Sequence, residues 1–160
     1  MKKAMSQTAA ARETKKLQAR GRKVVFTNGC FDLLHVGHVR YLQAARRLGD
    51  ALVVAVNSDA SVRKIKGPER PVNTERHRVE VLAALECVTW VCLFGEETPL
   101  RLIRKIGPDI LVKGGDWPVE KVVGRDVVTK RGGRVLTIPL VRGVSTTELI
   151  RKFAGATPRK

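Results

Sequence analysis

The chain has 160 residues, 43% of them hydrophobic, which suits one domain with a sizeable core and is too short for two ordinary ones. Its formal net charge of +16 sits mostly at the ends, with +7 in residues 1–23 and +4 in residues 151–160, leaving +5 for the stretch between. Aromatic residues make up only 4% and no nucleic-acid-binding motif is present, so specific nucleic-acid recognition is not expected; the modestly cationic core fits small phosphorylated substrates equally well.

No run approaches the roughly 18 apolar residues of a membrane span, so no membrane partner is expected. The basic N-terminus lacks the continuous apolar segment of a signal peptide. Cys30, Cys87 and Cys92 form no CxxC pair, and their odd number predicts reduced thiols in a cytoplasmic protein. Residues 1–22 read as a flexible basic tail, residues 23–153 as the folded domain, and residues 154–160 as a second basic tail.

In chain order, Lys23 to Phe26 is a β-branched and aromatic run that predicts a buried strand. Thr27 to Asp32 is a polar turn holding Gly29. From about Leu34, the spacing of Val39, Leu42, Ala45 and Leu48 predicts a helix that Gly49-Asp50 ends. His35 and His38 at the start of that helix share one face, with Gly37 between them at a cost of roughly 1 kcal/mol relative to Ala. That cost makes sense where something bulky approaches the backbone; a surface histidine pair beside an incidental glycine is the plainer alternative. Zinc is a weak rival, since the one other histidine is His77 and the cysteines lack ligand spacing. Cys30 reads as a small buried residue of the turn.

Ala51 to Val56 is a continuous apolar run, the mark of a parallel strand covered on both faces, and it ends in Asn57-Ser58-Asp59. Ser58 or Asp59 caps the next helix. Ser61 to Pro71 is a basic segment broken by glycine and proline, expected as a loop whose cations could close over phosphate. A helix starts at Asn73 or Thr74, and Arg76 and His77 read as surface residues. Val88 to Phe94 is the third strand; Thr98 as cap and Pro99 at the first helical position open another helix. Asp109 to Val112 is the fourth strand, running into Lys113-Gly114-Gly115-Asp116-Trp117. Residues 119–130 predict one or two short helical pieces, Arg134 to Ile138 the fifth strand, and Ser145 to Glu148 a capping box opening the last helix. With Arg142 before them, Ser145, Thr146 and Thr147 also make a phosphate cradle.

Five strands alternating with helices predict an α/β, Rossmann-like, doubly wound parallel sheet in a single domain. The ligand-facing segments 27–38, 57–59, 113–116 and 142–147 all come after strands, which places them at one edge of that sheet, as a shared site requires.

The run Thr27-Asn28-Gly29-Cys30-Phe31-Asp32-Leu33-Leu34-His35-Val36-Gly37-His38 resembles the signature of the HxGH nucleotidyltransferases, the cytidylyltransferase-like family. The resemblance covers about residues 23–153. Asn57 to Val62, Lys66 to Pro71, Pro108 to Asp116 and Gly143 to Thr147 together resemble one branch, the D-glycero-β-D-manno-heptose 1-phosphate adenylyltransferases in their stand-alone form. Glycerol-3-phosphate cytidylyltransferases share the HxGH and STT elements, so those two motifs alone leave ATP and CTP both open.

The resemblance implies transfer of AMP from ATP, with Mg²⁺, to the sugar 1-phosphate, releasing pyrophosphate toward lipopolysaccharide or another glycan. It implies catalytic roles for His35 and His38 and a mobile cation in Lys66. It implies nucleotide binding by Thr27, Asn28, Gly29, Phe31, Gly37, Lys113, Gly115, Asp116, Val144, Ser145, Thr146 and Thr147. Asp32, Asp59, Arg63 and Arg142 are the implied substrate-binding positions, no direct protein metal ligand is assigned, and a homodimer is common in the family. The alternatives are a cytidylyltransferase acting on glycerol 3-phosphate or a similar alcohol phosphate, and a nucleotide- or nucleic-acid-binding protein without turnover.

Overall fold

A computed structural model describes residues 3–115, 118–141 and 143–155, apart from the side chain of residue 154. Strands β1 (Val24–Gly29), β2 (Ala51–Asn57), β3 (Trp90–Phe94), β4 (Ile110–Gly114) and β5 (Arg134–Ile138) form one sheet in the order β3-β2-β1-β4-β5. Every pairing is parallel, with Val24 opposite Ala51, Val53 opposite Trp90, Val25 opposite Ile110 and Ile110 opposite Arg134. The Rossmann-like expectation holds. β2 is buried along its whole length because both sheet faces are covered, which is why its sequence does not alternate.

Helices α2 (Val36–Arg46), α3 (Asp59–Lys66), α4 (Glu75–Ala84), α5 (Leu100–Ile106), α6 (Arg125–Thr129) and α7 (Thr146–Ala154) connect or follow the strands, with a 3-10 turn at Val119–Lys121. Phe26, Val53, Phe94, Leu102 and Leu111 centre the core on one face of the sheet. Val25, Leu42, Leu52, Val54 and Leu82 centre it on the other. Ser58, Thr74 and Ser145 cap α3, α4 and α7 through their hydroxyls. Pro99, not Thr98, holds the cap position of α5. The segment expected as a loop over 61–71 is helical through Lys66 and opens only at Gly67.

The N-terminal expectation is corrected. Residues Gln7–Gln18 form a helix, α1, whose cap is Ser6. Ala10 and Thr14 are fully buried, and Met5 and Leu17 pack on the same core cluster. Val91 donates its N–H to the Lys3 carbonyl at 2.9 Å and accepts from the Met5 N–H at 3.0 Å, so the chain start lengthens the sheet past β3. Gln18 Nε2 donates to Gly107 O and to Asp109 Oδ2. The reason is positional: Ala10, Ala11, Thr14 and Leu17 fall on one helical face, and the charges that suggest a tail lie on the other. The C-terminal tail expected beyond residue 153 lies, from 156 on, outside the described residues. No helix among the described residues is long and apolar enough to cross a membrane.

Candidate active site

A cavity of about 420 Å³ opens at the carboxyl ends of the strands, where β1 and β4 lie side by side and the connections diverge. This is the topological switch point, where open α/β sheets collect ligands. The end of β1 supplies Asn28 and Gly29, the turn after it Phe31 and His35, the first turn of α2 His38, β4 Lys113, and the start of α7 Val144 and the three hydroxyl residues.

Phe31 adopts a left-handed backbone (φ 46°), a conformation costing an L residue on the order of 1 kcal/mol or more. Its ring packs on Gly29, where a Cβ would sit 3.0 Å from Phe31 Cε2. The same ring lies 5.5 Å from that of His38. His35 takes the N-cap position of α2 without a capping hydrogen bond, which frees its ring to lie over Gly37. A Cβ on Gly37 would meet His35 Nδ1 at 2.9 Å. Gly37 therefore makes room, as expected, but the group that occupies the room is the His35 ring.

The two imidazoles stack with centroids 3.9 Å apart. Burial, and secondarily the neighbouring His35, push the His38 pKa down to about 4; burial also lowers that of His35. Both are neutral at pH 7 in the free protein. Both Nδ1 atoms are buried without a hydrogen-bond partner among the described residues, and both rings line the cavity. A neutral pair costs no charge repulsion when empty, and each ring can donate one hydrogen bond to a phosphate oxygen.

Cations flank the pair. Lys66, at the end of α3, lines the cavity as expected, and Lys113 reaches it from β4 with Nζ 3.4 Å from Asn28 Oδ1. Burial holds the Lys113 pKa below the usual lysine range, an excess a bound anion would relieve. Arg70, which sequence reasoning missed, also lines the cavity and donates from Nε to Asp32 Oδ2 at 2.6 Å.

Asp32, expected to bind substrate, borders the cavity. Its carboxylate accepts from Arg70 and from the N–H groups of Val72 and Asn73, and these contacts pin the loop after α3. Burial alone would raise its pKa; those two N–H donors and Arg70 hold it below the usual carboxylate range.

At the other side, Ser145 Oγ accepts from the Glu148 N–H at 3.1 Å, the N-cap half of a capping box, and lies 3.2 Å from Glu148 Oε2. Thr146 Oγ1 donates to the Leu33 carbonyl at 3.2 Å and so ties α7 to the β1 turn. Ser145, Thr146 and Thr147 all line the cavity, with Leu140 and Val141 as an apolar wall.

Several expected site residues fall elsewhere. Thr27 is fully buried, its hydroxyl 2.6 Å from Tyr41 OH, which in turn donates to Val112 O. Alternation along β1 turns Thr27 inward while Asn28 meets the cavity. Asp59 pairs with Arg78 at 2.8 Å, and Arg63 is exposed and does not line the cavity. Gly115 has φ 93° and donates to Ile138 O, turning the chain beyond the cavity lining. Asp116 and Arg142 lie outside the described residues.

Arg78 was also missed. It is 2% exposed and donates to the carbonyls of Cys30, Asn57 and Asn73 and to Asp59 Oδ1. One guanidinium thereby fixes the ends of β1 and β2 relative to α4. Its only sequence signal is an arginine among apolar helix positions, which local patterns read as surface. Among the described residues, no three His, Cys, Asp or Glu side chains converge on a possible metal position.

A family model described as cytidylyltransferase-like matches residues 26–152. The chain is 61% identical over 145 residues to the bifunctional protein HldE of Citrifermentans bemidjiense, covering 91% of this chain and 29% of that protein. It is 62% identical over 135 residues to bifunctional HldE of Trichlorobacter lovleyi, covering 84% and 28%. The chain thus spans less than a third of the length of these curated relatives. Among solved structures, the lipopolysaccharide core biosynthesis protein of Thermoplasma volcanium superposes with a TM-score of 0.61 at 29% identity, covering 76% of this chain and 98% of that one.

Proposed function

We propose that this chain, which belongs to the cytidylyltransferase-like family, transfers AMP from ATP to D-glycero-β-D-manno-heptose 1-phosphate, giving ADP-heptose and pyrophosphate. The catalytic unit in this reading includes α1, which packs on the core, and runs to about residue 153. The observation that carries nucleotidyl transfer is the neutral, stacked His35–His38 pair, set between the hydroxyls of α7 and the cations Lys66 and Lys113.

A phosphate oxygen of the acceptor attacks the α-phosphorus of ATP in line; a new P–O bond forms as the bond to the bridging α–β oxygen breaks, and pyrophosphate leaves. The nucleophile is already an anion near pH 7, so no general base is needed. The protein supplies alignment and charge neutralisation, a division of labour that suits a site of neutral imidazoles, hydroxyls and fixed cations. His35 and His38 donate to oxygens of the reacting phosphates, and Ser145, Thr146 and Thr147 hold the β- and γ-phosphates at the α7 N-terminus. The Asp32 carboxylate is already committed to Arg70 and the backbone, so Mg²⁺ enters with the triphosphate as part of the MgATP substrate.

The heptose 1-phosphate and the choice of ATP rest on the similarity of residues 57–62, 66–71, 108–116 and 143–147 to that branch and on the high identity to HldE proteins. We place the reaction in the cytoplasm, consistent with the free thiols of Cys30, Cys87 and Cys92, and read the working unit as a homodimer, which light scattering tests.

The deciding assay is pyrophosphate release with Mg²⁺, pairing ATP or CTP with heptose 1-phosphate or glycerol 3-phosphate. Release with ATP and the heptose phosphate alone is expected. Release with CTP and glycerol 3-phosphate would move the protein to the neighbouring branch, and silence in all four would refute the proposed acceptors.

A further inference from the structure

The cleft holds two kinds of anion-binding chemistry, on different elements. One is the set of hydroxyls and N–H groups at the start of α7. The other is a set of cations that line the cavity from other elements: Lys66 at the end of α3, Arg70 in the loop that follows, and Lys113 on β4. Of these three cations, Arg70 pairs with Asp32 at 2.6 Å, and neither Lys66 nor Lys113 forms a salt bridge among the described residues.

Within this second group Arg70 is the pre-set member. Its side chain is 16% exposed, and its hydrogen bond to the described residues runs from Nε to Asp32. Asp32 is itself fixed by two backbone N–H groups, so the guanidinium is anchored through Nε; its terminal nitrogens make no hydrogen bond among the described residues, and Arg70 lines the cavity. A fork held this way matches the geometry of a phosphate monoester better than a long free lysine does. Lys66, by contrast, is exposed at the end of its helix.

In-line displacement at phosphorus places the entering and leaving groups on opposite sides of the atom attacked. A cleft that performs it on a phosphorylated acceptor needs two separate anion loci, one for the departing pyrophosphate and one for the incoming phosphate. We propose that Arg70, steadied by Asp32, forms the second locus and holds the phosphate monoester of the acceptor, while α7 holds the polyphosphate of the nucleotide. This deepens the function proposed above and rests on its in-line transfer; it does not depend on which sugar bears the phosphate.

The test is calorimetric titration of inorganic phosphate into the full chain saturated with Mg²⁺ and α,β-methylene-ATP, for the wild type, Arg70→Ala and Arg70→Gln. Both variants should bind phosphate at least about tenfold more weakly, the loss of a charged hydrogen-bonding pair, with affinity for the nucleotide analogue changed less than about twofold. Retained analogue affinity also certifies the fold, and Arg70→Gln, which can still donate to Asp32, separates loop collapse from loss of the anion site. Unchanged phosphate affinity, no phosphate binding by the wild type beside the analogue, or a variant defect in analogue binding would each overturn the assignment. If the wild type turns over no heptose 1-phosphate, the substrate reading fails while this titration still judges Arg70. If it does turn over, Arg70→Ala should raise KM for the sugar phosphate and leave KM for ATP in place.

Discussion

The rings of His35 and His38 stack at a centroid distance of 3.9 Å with planes 28° apart, and both are held neutral by burial. Two charged imidazoles at that distance would repel; in the proposed reaction the pair meets the phosphates as uncharged donors. Replacing His38 with Ala should lower kcat by about 10²-fold or more, the scale set by removing one donor to a charged transition state. The fold should persist, because the ring borders the cavity. Turnover near wild type in a pyrophosphate-release assay would refute the role.

The same pair sets a pH dependence of stability. Above pH 6.5 His38 is neutral in both folded and unfolded chains and contributes nothing. Between pH 6.5 and about 4 the unfolded chain takes up a proton that the folded chain refuses, so stability falls as pH falls through that window. His38→Asn should flatten that part of the profile in urea titrations between pH 7 and 4. An unchanged slope would mean the imidazole is not desolvated as described.

Gly37→Ala separates activity from stability. The added Cβ would sit 2.9 Å from His35 Nδ1 and 3.0 Å from Cε1, so the ring must swing away. We expect kcat/KM to fall by about tenfold or more, as displaced catalytic groups do. Tm should stay within a few degrees, since alanine favours a helix over glycine. A large loss of Tm with normal kcat/KM per folded molecule would contradict this.

Arg78→Met should be the most damaging change outside the cleft. It strands the carbonyls of Cys30, Asn57 and Asn73 and the Asp59 carboxylate that one buried guanidinium now satisfies. Breaking a buried pair in this way costs about 3–5 kcal/mol. Chemical denaturation measures it; a cost below about 1 kcal/mol would show that the network is dispensable.

Deleting residues 1–20 should destabilise the domain. The deletion strips α1 from the core and leaves the N–H and C=O of Val91 without Lys3 and Met5 as partners. Exposed edges of this kind promote association. We expect a lower Tm and aggregation on gel filtration. A truncated chain with wild-type Tm and monodispersity would mean that α1 contributes nothing to the fold.

The five strands were legible because burial on both faces leaves a continuous apolar run, most plainly in β2. That the histidine pair, Gly37 and the hydroxyls of α7 share one cavity was legible for a different reason: residues that line a cavity from one turn or one helix end stay close in sequence, so their spacing survives as a motif. Ser58, Thr74 and Ser145 as caps are likewise local facts, each settled within three residues.

What the tertiary structure decided involves partners far apart in the chain. Asp32 meets Arg70 across 38 positions and Arg78 meets the Cys30 carbonyl across 48, and neither pairing leaves a trace in the local pattern. For that reason Asp32 reads as a substrate ligand in sequence, and Arg70 and Arg78 do not stand out. Residues 1–22 read as a tail because charge is counted along the sequence, whereas docking depends on which face of a helix those charges occupy. Sequence by itself determined which groups reach the edge of the sheet. Only the folded chain decided which of them remain free to meet a ligand and which are already satisfied by one another, because a buried charge must find its partner wherever the topology places it.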